Sequence, residues 1–390
     1  MTLTSALREQ YLAECRTLVV DEVRALLPKD QPCAQVLYDL VLDYPLREAK
    51  GLRPALCIAT CRALGGCLEW VLQSAAVLEL YHNAFLIHDD IEDGSLVRRG
   101  GDTLHRTYGV PIAINVGDAM LALALQPLLD NMRLVGMGKA LRVLETVARM
   151  ARESAEGQAI ELDWVRRGAW DATDADYELM VIKKSAWYTF VTPILIGALL
   201  SDCEREHHET LVELATEIGI AFQIQDDVLN LAGDQARYGK EIGGDLWEGK
   251  HTLILLHLMR SATPDEQDRA QKILAKPRPT EHTAARDTDH RWTALRSTVA
   301  DLESSGELSP AAVALLDVAC AEPEAKTEAD IAYLQERIDH YGSIDYARSV
   351  AARHARRAQE LLVATSAWLP ASTHRSFVES VVSYVVERDR

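Results

Sequence analysis

Apolar residues recur every three or four positions along much of the chain, most clearly in Ala140–Met150, Thr210–Leu231 and Ile331–His340. That spacing puts them on one face of an α-helix. Strand-like alternation between tight turns is scarce. The one Asp-Gly pair, Asp93-Gly94, closes an acidic helical segment. The pattern predicts an all-α fold, a single large helical bundle with its glycines and prolines mostly at helix ends. The longest uncharged run, Ser185–Ser201, has 17 residues and contains Pro193. It is short for a membrane span and is read as a buried helix, so no integral membrane segment is expected. Near Lys276–Arg291 the periodicity disappears. A helix-like stretch (Trp292–Leu302) and a turn (Ser304–Pro310) follow before it resumes at Ile331. Residues 276–329 are therefore read as an insertion or elaborated loop region in one domain spanning 1–390.

Composition narrows the function. A net charge of −18 makes the chain a poor general binder of nucleic acid, although basic side chains can still cluster in a cleft. The N-terminal stretch lacks the apolar core of a signal peptide. Seven cysteines show neither a pairing pattern nor zinc spacing. Free thiols in a reducing cytoplasm are expected.

The chemistry begins at HDDIEDGSLVRRG, His88–Gly100. On a helix, Asp89 and Asp93 are neighbours on one face, and Asp90 points about 100° away. Three carboxylates so placed repel one another unless a cation lies between them. Hard oxygen ligands suit Mg²⁺, which is often shared with substrate phosphates. Arg98 and Arg99 then offer guanidinium forks to phosphate oxygens. A solvated helix end would account for one such cluster. A second changes the balance: FQIQDDVLNL places Asp226, Asp227 and Asn230 in an apolar helix, with Gln223 one turn earlier. Carboxylates there are costly to bury unless paired or liganded. Downstream, YGKEIGGDLWEGKHTL adds Lys240, Asp245 and Lys250. Two acid-rich helices with basic neighbours suit a diphosphate bridged by divalent ions.

These motifs resemble the trans-isoprenyl diphosphate synthases, the polyprenyl synthetase family. DDIED with the RRG after it is similar to the first aspartate-rich motif, and FQIQDDVLN to the second. REAKGLRP, EGQAIELDW, IKKSAWYTF, GKEIGGDLWEGKHTL and YGSIDYA continue the resemblance over nearly the whole chain apart from residues 276–329. The resemblance implies a bundle with a central active-site cavity that joins isopentenyl diphosphate to C5–C15 allylic diphosphates. It implies three Mg²⁺ ions, replaceable by Mn²⁺, on Asp89, Asp90, Asp93, Asp226, Asp227 and Asp245. Arg98, Lys184, Lys240 and Lys250 would contact the allylic diphosphate. Lys50, Arg53, His82 and Arg99 would hold isopentenyl diphosphate. Ser185, where the family usually has threonine, and Gln223 would stabilise an allylic cation. A homodimer is implied as well.

Three departures stand out. Asn230 replaces the last acid of the second motif. Gly51 stands where the N-terminal motif normally has arginine, with Glu48 and Ala49 in place of two glycines. Residues 276–329 have no counterpart. Product length is expected from the helix before Asp89: Phe85 and Tyr81 lie one and two turns deeper, about 6 and 12 Å. Phe85 argues for a short product, whereas Ala84 leaves room. C20 is favoured, with C15 or C25 as alternatives. A class I terpene cyclase fits less well, because Asp234 and Tyr238 do not complete its NDxxSxxxE pattern after Asn230. A non-catalytic regulatory subunit would be expected to lose acids from the first motif, and this chain keeps them all.

Overall fold

The three-to-four-residue spacing does produce helices. The computed structural model describes residues 5–29, 34–47, 49–201, 203–232, 243–279, 290–309, 311–313 and 324–387. Helices α1 (Ser5–Leu26), α2 (Gln35–Leu46), α3 (Leu52–Ala63) and α4 (Leu68–Glu92) lead into a two-stranded hairpin, β1 (Val97–Arg98) with β2 (Gly101–Asp102). Then come α5 (Leu104–Tyr108), α6 (Val110–Leu123), α7 (Leu125–Val135) and the long α8 (Met137–Arg167). Helix α9 (Asp174–Val181) runs into a π-helix (Ile182–Val191) and α10 (Thr192–Leu200). The rest comprises α11 (Glu206–Ala232), α12 (Gly244–Glu248), α13 (Leu253–Ser261), α14 (Pro264–Ala275), α15 (His290–Ser304), α16 (Glu328–His340), α17 (Ser343–Thr365) and α18 (Thr373–Glu387).

Helix α11 joins two packed clusters. Its first half, through Leu211, Leu214 and Ile218, packs into a core shared with α3, α4, α10 and α18. Its second half, through Ile224 and Val228, belongs to a core built with α9, α13, α16 and α17. Each buried Leu or Ile stabilises the fold by about 1.5–3 kcal/mol. The long central helices are thereby fixed along their whole length.

The run Ser185–Ser201 is mostly buried, as its composition suggested, but it is not one α-helix. It forms most of the π-helix and then α10, with Pro193 as the second residue of α10, where the π-helix gives way to the α-helix. Two glycines admit the π-helix. A Cβ at Gly157 of α8 would lie 2.3 Å from the Lys184 backbone N, and one at Gly219 of α11 would lie 2.4 Å from Ala186 Cβ. Stretches Val110–Val135 and Asp174–Leu200 are long and apolar enough to cross a membrane by composition alone; the second is mainly core. Within 276–329, the expected helix is found as α15, and much of the remainder lies outside the described residues.

Candidate active site

Both acid clusters stand at the C-terminal ends of helices. Helix α4 carries Asp89, Asp90 and Glu92 in its last turn with Asp93 as its cap, and α11 carries Asp226 and Asp227 in its last two turns. A helix dipole is negative at that end, and neither last turn holds a basic residue. The acids therefore add to a field that favours a cation. The two ends face a shared cavity of about 630 Å³. Its wall includes Asp89, Asp226, Asp227, Asp245, Lys184, Ser185, Gln223 and Lys250 from the predicted set, together with Arg53, His82, Arg98, Arg99 and Phe85.

The acids are already balanced by internal ammonium groups. Lys184 pairs with Glu161 and lies 3.4 Å from Asp89. Lys250 lies 2.7 Å from Asp93 and 3.1 Å from Glu248. Burial disfavours both charged amines, but the surrounding acids, led by Glu161 for Lys184 and Asp93 for Lys250, push both pKa values up. Burial also raises Asp93 to about 7 against the pull of Lys250. It raises Asp227 to about 7, although Tyr177 Oη (2.6 Å) and Gln223 Nε2 (2.8 Å) donate to that carboxylate. Ser185 Oγ donates in turn to Gln223 Oε1 (2.8 Å). A chain of hydrogen bonds thus fixes the Ser185 hydroxyl from beneath. Crowded carboxylates with raised pKa values, presented as oxygen donors at two helix C-termini, fit a hard divalent ion such as Mg²⁺.

Opposite lies a basic cluster whose charge the buried Glu79 offsets in part. His82 Nε2 sits 3.1 Å from Arg53 Nη1 and 3.1 Å from Arg99 Nη2. Flanked by two donors, this nitrogen must accept, so His82 is neutral there. Arg53 also donates to Thr189 Oγ1 (2.8 Å) and lies over the Tyr188 ring at 4.3 Å. Arg99 donates to the Tyr44 carbonyl (2.7 Å) and Asn83 Oδ1 (3.2 Å). It occupies the turn of the hairpin at φ 50°, a left-handed conformation uncommon for a residue with a side chain. Arg47 holds that turn by donating to the carbonyls of Arg98 (2.8 Å) and Asp102 (2.9 Å).

Several predicted residues are placed differently. Asp90 is fully buried and turned from the cavity: Tyr44 Oη (2.7 Å) and Arg98 Nε (2.8 Å) donate to it, and Arg98 Nη2 does so too. The 100° offset from Asp89 aims it at α2, so it anchors the hairpin and not a ligand position. Arg98 holds this pair, which is costly to break, by about 3–5 kcal/mol, and also reaches the cavity wall, with Nη2 3.9 Å from Asp89. Asn230 does not offer its amide oxygen to the cavity; it accepts from the Asp245 backbone N–H (3.1 Å) and fixes that acid's turn. Lys50 is exposed, lies outside the cavity wall and donates to Tyr384 Oη (2.8 Å). Gly51 caps α3 at φ 61°, where a Cβ would meet Arg16 Cβ at 3.1 Å, so an arginine side chain would be both strained and crowded. Ala84 is buried in the core away from the cavity, and Tyr81 sits behind Phe85 with ring centroids 5.8 Å apart. Lys240 lies outside the described residues.

Sequence reasoning assigned no role to Glu161, Tyr177, Tyr188 or His251, all of which line the cavity. Glu161 carried a usable signal, being an acid on an otherwise buried helical position like Asp227. His251 is stacked on Trp170 at 3.7 Å, and burial pushes it down to about 4, so it stays neutral.

Comparison with known proteins bears on the fold and the family. Residues 35–288 match the polyprenyl synthetase family. A short chain isoprenyl diphosphate synthase from Methanocaldococcus jannaschii is 37% identical over 254 residues, 65% of this chain and 74% of that one. Geranylgeranyl pyrophosphate synthetase from Pyrococcus horikoshii superposes with a TM-score of 0.76 at 28% identity, covering 98% of both chains. Polyprenyl synthase from Caulobacter crescentus, solved with calcium and isoprenyl diphosphate, superposes at 0.71 with 25% identity, covering 99% of this chain and 97% of that one.

Proposed function

Since the chain belongs to the polyprenyl synthetase family and is a prenyl diphosphate synthase of the short-chain trans type, we propose that it condenses isopentenyl diphosphate head-to-tail with an allylic diphosphate, giving geranylgeranyl diphosphate (C20) as its main product. The segregation of charge in the cavity carries this reading. One wall offers acids with lysines between them, suited to a metal-bridged diphosphate. The other offers Arg53, His82 and Arg99 for a diphosphate that needs no metal. A cyclase has no use for the second wall.

Mg²⁺ held by Asp89, Asp93, Asp226, Asp227 and Asp245 would neutralise the allylic diphosphate and make it a better leaving group. Lys184 and Lys250 would stabilise the charge that grows on the departing oxygen. The Ser185 hydroxyl, oriented by Gln223, would turn its lone pairs toward the allylic cation. Arg53, Arg99 and neutral His82 would hold isopentenyl diphosphate so that its double bond attacks that cation. A proton then leaves to the released diphosphate. Aromatic and apolar walls from Phe85, Tyr188, Phe190 and Phe222 would exclude water, which would quench the cation. The Caulobacter relative, solved with a divalent cation and isoprenyl diphosphate, supports the metal and substrate assignment.

Phe85 sets the length in this account. Its ring lines the cavity and meets Tyr188 edge-on at 5.7 Å, with Tyr81 behind it. Phe85→Ala opens the path to Tyr81, and the double change with Tyr81→Ala opens it further. Product analysis by mass is expected to show longer chains in both variants; unchanged lengths would overturn the floor assignment.

The same reading extends to assembly and place. Helices α6 and α7 expose Val110 and Ile114, then Leu125, Leu129 and Met132, at helical spacing. Apolar positions exposed at helical spacing on both helices suit burial against a second copy in a homodimer. Buried free thiols at Cys15, Cys57 and Cys61 suit a reducing cytoplasm.

A further inference from the structure

The two ends of the 276–329 region return to the active-site lysine. The backbone N–H of Lys326 donates to the Pro277 carbonyl (2.9 Å), so the segments leaving α14 and entering α16 run side by side. Lys276 ties the same ends together through Asp330 (3.0 Å) and Glu324 (3.2 Å). From this strap two cations reach the last residues of α12, just before the turn at Gly249. Lys326 is 3% exposed, and its Nζ donates to the Trp247 carbonyl at 2.7 Å. Arg278 Nη1 lies 3.9 Å from Glu248 Oε1. Glu248 in turn lies 3.1 Å from Lys250 Nζ, which faces Asp93 and the cavity.

The turn is packed from behind as well. Gly249 adopts φ 72°, and a Cβ there would lie 2.9 Å from the Leu274 carbonyl and 3.5 Å from Lys326 Nζ. An ammonium buried on a backbone carbonyl is an expensive way to gain stability, because desolvation offsets much of the attraction. Its pKa is pushed down to about 8 by burial. What the arrangement does gain is position: it fixes the carbonyl of Trp247 and the carboxylate of Glu248, the residues just ahead of Lys250.

We propose that Lys326 and Arg278 are positioning residues, through which the ends of the 276–329 region set the Lys250 ammonium for the allylic diphosphate. The proposal rests on the function given above, which makes Lys250 a diphosphate contact. It predicts a selective defect. The isopentenyl diphosphate cluster of Arg53, His82 and Arg99 sits on α3, α4 and the hairpin, away from the strap.

The test is calorimetric binding, in Mg²⁺ buffer, of a C15 allylic diphosphate and, separately, of isopentenyl diphosphate. The proteins are the full-length wild type, Arg278→Ala, Lys326→Met, Lys250→Ala and the double variant Arg278→Ala/Lys250→Ala, with thermal melts as a folding control. Each strap variant is expected to weaken allylic binding about tenfold, the scale of a coupling carried through a few contacts, with isopentenyl diphosphate binding unchanged. In the Lys250→Ala background, Arg278→Ala is expected to add less than about twofold, because both act on one ammonium. Loss of both ligands in parallel, unchanged allylic binding, or full additivity with Lys250→Ala would overturn the positioning role while leaving the proposed function intact. A wild type that binds neither ligand would overturn both. Because Arg278 is the less deeply placed of the two, it keeps the test open should Lys326→Met fail to fold.

Discussion

Single carboxylates at this cavity and beside it, behind Lys250, are poised by burial. Asp93 and Asp227 both sit near 7 in the metal-free protein, against about 3.9 in an unfolded chain. The folded state therefore keeps protons that the unfolded state releases above pH 4. By linkage, metal-free stability falls as pH rises from about 4 to 7. A divalent ion reverses that, because it binds the ionised forms and expels the protons. Titration of the protein with Mg²⁺ at pH 6 and pH 8 is expected to show tighter binding at pH 8, by about tenfold for each carboxylate that must ionise. Equal affinity at both pH values, with no proton release, would show that these acids do not take the metal. At this scale the sequence revealed which acids gather but not what each one does. Asp90 and Asn230 look like ligands in a motif. Only the fold brings Tyr44, 46 positions away, to Asp90 and the Asp245 backbone N–H to Asn230.

Elements carry the acids and bases into register, and the π-helix is the least forgiving of them. It presents Lys184 and Ser185 between α8 and α11, pressed against Gly157 and Gly219. Gly157→Ala would put a methyl group 2.3 Å from the Lys184 backbone N, and backbone has no rotamer with which to give way. The change is expected to cost about 1–3 kcal/mol of stability. It is also expected to lower kcat at least tenfold through displacement of Lys184 and Ser185. Melting curves with steady-state kinetics check both, and a variant with wild-type stability and kcat would refute the close approach. The long helices were legible because α4, α8 and α11 repeat their apolar spacing over many turns. The π-helix was not, since its wider turns run over only ten residues, too few to set up a spacing of their own. Nor was the hairpin: its turn is Arg99-Gly100, and an arginine at φ 50° is held there by Arg47 and Tyr44, contacts far off in sequence.

The whole molecule divides the work between faces of one bundle. Helices α4 and α11, which share one core, bring two acid-bearing C-termini to one cavity, and α3 with the hairpin brings the arginines. The all-α bundle was readable from periodicity, and the pairing of acid motifs from composition and spacing. The placement of Lys50 outside the cavity and of Ala84 in the core was not, because both depend on how α3 and α4 rotate against neighbours that periodicity does not name. The central claim is that this cavity joins two diphosphates, one through metal and one without. The most direct measurement incubates the purified protein with Mg²⁺, labelled isopentenyl diphosphate and a C5, C10 or C15 allylic diphosphate. Label is expected in prenyl diphosphates ending mainly at C20, and none when EDTA is present. A cyclic hydrocarbon, no incorporation with any allylic partner, or full activity in EDTA would contradict it.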